Sequence, residues 1–258
     1  MCRPTYDGSM EAGSTPRFSL IVPAHNEQSY LGRLLDSAEV ARSRCRHGAA
    51  AIEVVVADDG STDATAAIAE QRGGRVVHLE ARRIAAARNA GAAIASGEIF
   101  AFVDADMRIH PETFNAIDDM LATGRIVAGA TGVTLERWSL GLAVTYALMV
   151  PWVWLLRMDT GVVFCRAADF RAVGGFDDRR AFGEDVQFLL DLRRLGRGRG
   201  QRLGRARRAK AIASTRKFDR YGDWHYFPLL LRLLWPMLRS PTTRNPVVED
   251  YWYRDPER

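Results

Sequence analysis

The stretch Glu98-Ile-Phe-Ala-Phe-Val-Asp-Ala-Asp106 sets an unbroken apolar run directly against two carboxylates one residue apart. A short apolar run bounded in this way reads as a strand buried on both faces. In open sheets covered by helices, ligands collect at the carboxyl ends of the strands. Asp104 and Asp106 stand at such an end. Two carboxylates there can share one hard cation, directly or through water. Taken alone, Asp-x-Asp serves equally well as a turn with two solvated aspartates, so the rest of the chain has to decide.

Upstream, strands and helices alternate. Phe18 to Pro23 is a first buried strand, ended by proline. Asn26 then precedes a helical pattern with Tyr30, Leu31, Leu34, Leu35 and Ala38 on one face. Ala51 to Ala57 is a second strand, stopping at the turn Asp58-Asp-Gly-Ser-Thr-Asp63, whose Ser61 or Thr62 can cap the next helix. Arg75 to Leu79 is a third strand, and Ala85 to Ala95 an alanine-rich helix closed by Gly97. This alternation predicts parallel pairing in an α/β layer architecture. Asp58, Asp59, Asp104 and Asp106 then all fall at carboxyl ends of strands.

Downstream the pattern changes. Gly129–Val133 and Thr160–Cys165 read as further strands, Asp185–Leu195 as a helix, and Ala211–Ser214 as a last strand. The Gly- and Arg-rich segment Arg193–Arg208 reads as a solvated connection. It lacks the interleaved aromatics of a nucleic-acid surface, so no nucleic-acid partner is expected. Trp138 to Leu156 runs nineteen residues without a charge. That length can span a bilayer, but a span would put the acidic motifs at 104–106 and 184–185 on opposite sides of it. A helix packed on the domain or lying in a membrane interface is the preferred reading.

Composition sets the outer bounds. The 258 residues carry a net charge of +5, which favours anionic partners. Three well-separated cysteines indicate neither a disulfide framework nor a zinc site and suit a reducing cytosol. The polar opening carries no apolar signal-peptide core, and residues 1–16 read as a flexible leader. Residues 226–258 form an apolar and basic tail. Between them lies one domain, 17–225, in two halves, 17–130 and 131–225.

Three further motifs carry chemistry. Asp58-Asp59-Gly60-Ser61 can accept hydrogen bonds from a base or ribose, or can simply close a turn. Arg88-Asn89-Ala-Gly91 offers a planar guanidinium to phosphate or base, or to solvent. Gly183-Glu184-Asp185 offers a general base to an acceptor hydroxyl, or merely places acidic residues at a helix N-terminus.

In combination these residues resemble the family 2 glycosyltransferases. The matching elements are Ile21-Val-Pro-Ala-His-Asn-Glu27, Val56-Ala-Asp-Asp-Gly-Ser-Thr-Asp63, Ala87-Arg-Asn-Ala-Gly91, Phe102-Val-Asp-Ala-Asp106, Gly174-Gly-Phe-Asp177 and Gly183-Glu-Asp185, in the family's order. The resemblance implies the GT-A fold: Rossmann-like α/β, with a mixed, mainly parallel sheet flanked by helices. It implies an inverting, hexosyltransferase-type enzyme using Mn2+ or Mg2+. Its donor would be a nucleotide-diphospho-sugar, with UDP the expected carrier, and its acceptor a glycan, a lipid-linked molecule or a small molecule. By the same resemblance Asp59 would meet the nucleobase, with Pro23, His25 and Glu27 lining that pocket beside Asp58. Arg88 would sit near the base or diphosphate. Asp104 would hold ribose or metal-bound water, Asp106 would ligate the metal, and Gly175 would border the acceptor. Asp185 would be the base, with Glu184 orienting it or the acceptor.

The Gln-x-x-Arg-Trp signature of processive synthases is absent; the nearest segment, Thr215 to Trp224, does not match it. A single transfer is therefore expected, in the cytoplasm or at the inner face of the plasma membrane. The Trp138–Leu156 and Tyr226–Arg239 segments would supply peripheral membrane contact. Two rivals remain. A nucleotidyltransferase would carry a glycine-rich basic loop where Pro23-Ala-His-Asn-Glu27 stands. A non-catalytic nucleotide-sugar binding module would have no need of Glu184-Asp185.

Overall fold

The computed structural model describes residues 15–156, 161–180 and 183–224, with only the backbone described for 149–156. The expected tail at 226–258 and most of the leader at 1–16 lie outside the described residues. In chain order the elements are β1 (Phe18–Ala24), α1 (Leu31–Ser43), β2 (Ile52–Asp59), α2 (Thr65–Gln71), β3 (Arg75–Leu79), α3 (Ile84–Ile94) and β4 (Ile99–Phe102). There follow α4 (Thr113–Ala122), β5 (Ile126–Leu135), α5 (Leu140–Leu156), β6 (Val163–Arg166), α6 (Ala167–Val173), α7 (Glu184–Arg197), β7 (Arg202–Ala213) and α8 (Arg216–Tyr221).

The seven strands form one sheet in the order β3-β2-β1-β4-β6-β5-β7. The pairs β3/β2, β2/β1, β1/β4 and β5/β7 are parallel, and β6 runs antiparallel to both of its neighbours. This is the mixed, mainly parallel α/β sheet that the alternating pattern predicts. Side-chain alternation along the strands sorts the core into two layers. Phe18, Leu20 and Val22 of β1 pack with Leu31, Leu34, Phe114 and Ile117 from α1 and α4. Ile21 faces the other way, with Phe100 and Phe102 of β4, Ala85 and Ala92 of α3, and Phe170, Phe176 and Phe188. Phe102 meets Phe176 at 5.0 Å between ring centroids, and Phe176 stacks on Phe188 at 4.1 Å. This second layer forms the floor beneath the acidic motifs. Helix α3 lies tight against β1: a Cβ at Gly91 would come within 2.6 Å of Ile21 Cγ2.

Three local expectations are corrected. The segment 193–208 is not one solvated connection. Arg193–Arg197 completes α7, and Arg202–Arg208 lies within β7, the edge strand. Leu203, Ala206, Ala209 and Ala211 are buried while Arg202, Arg207, Arg208 and Lys210 are exposed. Basic side chains on an edge strand also discourage pairing with another chain. The last strand thus begins nine residues before the expected Ala211. Nor does Ser61 or Thr62 cap α2. The N-cap is Ala64, whose methyl group cannot hydrogen-bond; Asp63, one residue earlier, accepts the Thr65 N–H on Oδ1 at 2.9 Å, while Ser61 Oγ accepts the Asn26 N–H at 2.9 Å.

Helix α5 is seventeen residues long, roughly 25 Å at the usual rise. Among the described residues no helix is long and apolar enough to cross a membrane. Its first turns pack on the domain: Leu142 and Thr145 are buried, and the Tyr146 hydroxyl donates to the Val133 carbonyl at 3.0 Å. Trp138, Leu140 and Leu148 are exposed.

Candidate active site

The carboxyl ends of β1, β2 and β4 carry the predicted residues, and their surroundings differ sharply. Asp59, at the end of β2, is buried and shapes its own loop. Its Oδ1 accepts the backbone N–H groups of Ala81 and Arg82 at 2.7 and 2.8 Å, and its Oδ2 that of Arg83 at 2.7 Å. These bonds pin Arg82 with φ +50°, an uncommon conformation for a residue other than glycine. The Arg82 side chain then reaches His25 Nε2 at 2.6 Å. Asp58 is also buried; its Oδ1 accepts the Ser61 N–H at 3.3 Å, and its Oδ2 lies 3.2 Å from His78 Nδ1. Pro23 pairs in register with Ala57 on the neighbouring strand.

At the end of β4 the carboxylates meet arginines instead. Arg88, on α3, is buried, with 8% of its surface exposed. Its Nη2 donates to Asp104 Oδ1 at 2.9 Å and its Nη1 to Glu184 Oε1 at 2.8 Å. One guanidinium therefore joins two acidic motifs eighty residues apart in sequence. Its other neighbour is the Phe176 ring, 5.2 Å below. Burial works against the Arg88 charge, but Asp104, Glu184 and Asp185 together outweigh it and hold the group above the ordinary arginine range. Burial pushes the Glu184 carboxyl up; Arg88 opposes that shift and the adjacent Asp185 adds to it. Asp185 is less buried, and its Oδ1 accepts its neighbour's N–H, from Val186, at 2.8 Å.

The platform under Arg88 is fixed by Asn89. Asn89 Nδ2 donates to the Phe176 carbonyl at 2.8 Å, and its Oδ1 accepts the Phe176 N–H at 2.9 Å. Gly175 has φ +74°, and a Cβ there would strike Asn89 Oδ1 at 2.7 Å. Gly175 thus lets the 174–176 turn press against α3 beside the acidic cluster.

Asp106 lies on the other side of the cleft, against Arg216 of α8, with Oδ2 and Nε 3.2 Å apart. The same guanidinium forks onto Glu27, with Nη1–Oε2 and Nη2–Oε1 both 2.7 Å, and lies 4.7 Å over the Tyr30 ring. Glu27 is buried and sits at the mouth of β1. Burial lowers Arg216's tendency to hold its proton, but the Glu27 hydrogen bonds and the charges of Asp106 and Glu27 more than reverse this.

Asp104 and Asp106 present hard oxygen donors from one short turn after β4. Asp104 remains 39% exposed and Asp106 22%. Among the described residues there is no group of three or more His, Cys, Asp or Glu side chains that would cage an ion. Magnesium-class cations on phosphate use one or two protein carboxylates and take their remaining ligands from phosphate and water. The donor set fits a cation of that kind, which would be shared with a phosphate ligand.

All the predicted residues cluster at this one end of the sheet. Sequence reasoning missed Arg216, Tyr30 and Arg82 as parts of the site, and it quoted Asn89 without giving it a role. No local pattern marks Arg216; its significance lies in a contact with a residue 189 positions away.

The fold and this clustering define the GT-A class, and comparison with known proteins agrees. Residues 19–143 match the model of the family described as Glycosyl transferase family 2. A putative glycosyltransferase, EpsH of Bacillus subtilis, is 35% identical over 103 residues, covering 38% of this chain and 28% of its own length. The structure of S. aureus TarS residues 1–349 with UDP-GlcNAc superposes with a TM-score of 0.61 at 22% identity, covering 77% of this chain and 58% of that one. The mannosyltransferase PcManGT from Pyrobaculum calidifontis, in complex with GDP-Man and Mn2+, gives 0.60 at 21% identity, covering 77% and 57%. The chain spans half the length, or less, of the curated relatives it matches.

Proposed function

We propose that the protein transfers a sugar from a nucleotide-diphospho-sugar to an acceptor hydroxyl, in a single displacement that inverts the anomeric centre. The observation that carries this reading is the Arg88 bridge. It gathers Asp104, next to the phosphate-binding corner, and Glu184-Asp185, the source of a base, around one cleft. A binding module without chemistry has no use for the second half of that arrangement. TarS and PcManGT, whose structures contain a nucleotide-sugar, support the donor class. UDP is the expected carrier.

The acidic pair divides its roles. Glu184 is committed to Arg88 and buried, so it orients. Asp185 is more accessible and serves as the base. It takes the proton from the acceptor hydroxyl as that oxygen bonds to the anomeric carbon. The bond from that carbon to the diphosphate oxygen breaks, and the diphosphate leaves with the electron pair. Asp104 and Asp106 would hold Mn2+ or Mg2+, which supplies positive charge to the departing diphosphate. Arg88 keeps Asp104 and Glu184 in fixed relation while this happens, so no reorganisation is needed at the moment of reaction. The acceptor, whether glycan, lipid-linked or small molecule, would enter over Gly175 and Phe176. The exposed Trp138, Leu140 and Leu148 beside the domain suit an acceptor presented at a membrane surface.

Asp185→Asn tests the assignment. Release of nucleoside diphosphate from UDP- and GDP-sugars should fall by about 10²–10⁴-fold, the usual worth of a general base, with donor binding retained. Wild-type turnover in this variant would remove Asp185 from the role.

A further inference from the structure

Arg216 faces the cleft from α8, outside the motifs and without a role in the mechanism above. Its guanidinium stands against Asp106, where the proposed cation would bind, and this inference rests on that reading. The two contacts of Arg216 are unequal. Toward Glu27 it makes a parallel fork, both distances 2.7 Å, joining the half-buried guanidinium to a buried carboxylate. Toward Asp106 it makes a single ion pair at 3.2 Å through Nε. Paired forks are the stronger and more directional geometry. The backbone behind it is tied down as well: Arg137 bonds Asp219 Oδ1 at 2.5 Å and Asp223 Oδ1 at 2.7 Å, fastening α8 to the start of α5.

We propose that Arg216 is an exchangeable counter-ion of the donor site. It neutralises Asp106 while the site is empty, and it transfers its Nε edge to a diphosphate oxygen when the cation and nucleotide arrive. The charge balance requires an exchange of this kind. A divalent cation alone would crowd a third positive charge against Asp106. A cation together with a diphosphate diester adds no net charge, so Arg216 stays on its Glu27 anchor and only changes partner. Metal and nucleotide are thereby coupled: the metal binds poorly until the diphosphate gives Arg216 somewhere to go. Such coupling is reciprocal between the two ligands.

The coupling can be measured without turnover. Free Mn2+ is counted by electron paramagnetic resonance during titration of the protein, with and without saturating UDP, and again with GDP. In the wild type, the nucleotide should tighten Mn2+ binding strongly. In Arg216→Met, Mn2+ alone should bind more tightly than to wild type, because its competitor is gone. UDP with Mn2+ should bind about tenfold more weakly, the order expected for one lost charge-assisted contact. The coupling factor should therefore collapse from both directions. Glu27→Gln/Arg216→Met removes both charges of the forked pair and serves if the single variant does not fold, as judged by near-ultraviolet circular dichroism. An unchanged coupling factor in a folded variant overturns the exchange while leaving the metal site intact. A wild type that binds no Mn2+ with either nucleotide overturns the metal-dependent reading itself, and the exchange with it.

Discussion

The carboxyl ends of β2 and β4 both present carboxylates to the same cleft, yet they hold them by different means. At the end of β2, Asp59 is satisfied by three backbone N–H groups. Those donors belong to the fold and cannot leave without unfolding the loop. At the end of β4, Asp104 and Asp106 are met by Arg88 and Arg216, whose side chains arrive from distant elements. A side-chain partner can be exchanged for a ligand at little cost to the backbone. One end is fixed by the backbone; the other is charge held by side chains, where the proposed phosphate and cation would bind.

The contrast predicts where each change will register. The largest effect belongs to the arginine-held side. Asp185→Asn should lower turnover by about 10²–10⁴-fold with stability nearly unchanged, measured by nucleoside diphosphate release beside a denaturation curve. Arg88→Ala should cost about 3–5 kcal/mol in chemical denaturation, because it strands the buried Glu184 carboxylate; Glu184→Gln in the same background should recover part of it. A loss below about 1 kcal/mol would mean that the bridge is not what joins the two motifs.

On the backbone-held side the readout shifts to stability. Asp59→Asn weakens charge-assisted bonds to three N–H groups and should cost about 1–3 kcal/mol. That loss should be the same with and without nucleotide if Asp59 only builds the loop. If it also meets the nucleobase, affinity for UDP should fall as well. The smallest effect concerns Asp63. Burial pushes its carboxyl up, but bonds from the Thr65 hydroxyl and N–H and from the Gln28 N–H outweigh this and depress it. A depressed carboxylate contributes stability above its unfolded value, near 3.9, and loses it as pH falls through the folded value. Asp63→Asn should thus be less stable than wild type at pH 5 and above, and the two curves should draw together as pH falls below the unfolded value and through the folded one. The gap should be on the order of 0.5 kcal/mol, since the group is only half-buried and partly screened by solvent. A gap that persists at pH 2 would show that Asp63 acts through geometry rather than charge.

The same division explains what could be read from the sequence. Parallel β-α-β units write themselves locally: Phe18–Pro23, Ala51–Ala57 and Glu98–Val103 are mostly apolar runs that end in proline or run into aspartate, and their order fixes the first half of the sheet. The second half works through contacts that no local window contains. Asn89 clamps Phe176 across 87 positions, and Arg216 forks onto Glu27 across 189. The arginines of 202–208 look solvated because charge dominates their composition. On this edge strand the buried positions are few, small and irregularly spaced by breaks in register, so Leu203, Ala206, Ala209 and Ala211 make no apolar run or simple alternation. The start of α2 misleads because Ser61 and Thr62, good capping residues, bond Asn26 instead, and the bond to the Thr65 N–H comes from Asp63, one residue before the N-cap.

The central claim is that Asp104 and Asp106 present a cation to the diphosphate of a nucleotide-sugar. Thermal unfolding with UDP, GDP and their sugars, each with and without Mn2+, tests it most directly. A ligand that binds only the native state stabilises it by about 2.7 kcal/mol at one hundred times its Kd. At least one nucleoside diphosphate should raise the unfolding temperature with Mn2+ present, and Asp106→Asn should abolish that rise. If no nucleoside diphosphate raises it with Mn2+ present, or if Asp106→Asn responds as wild type does, the claim is contradicted.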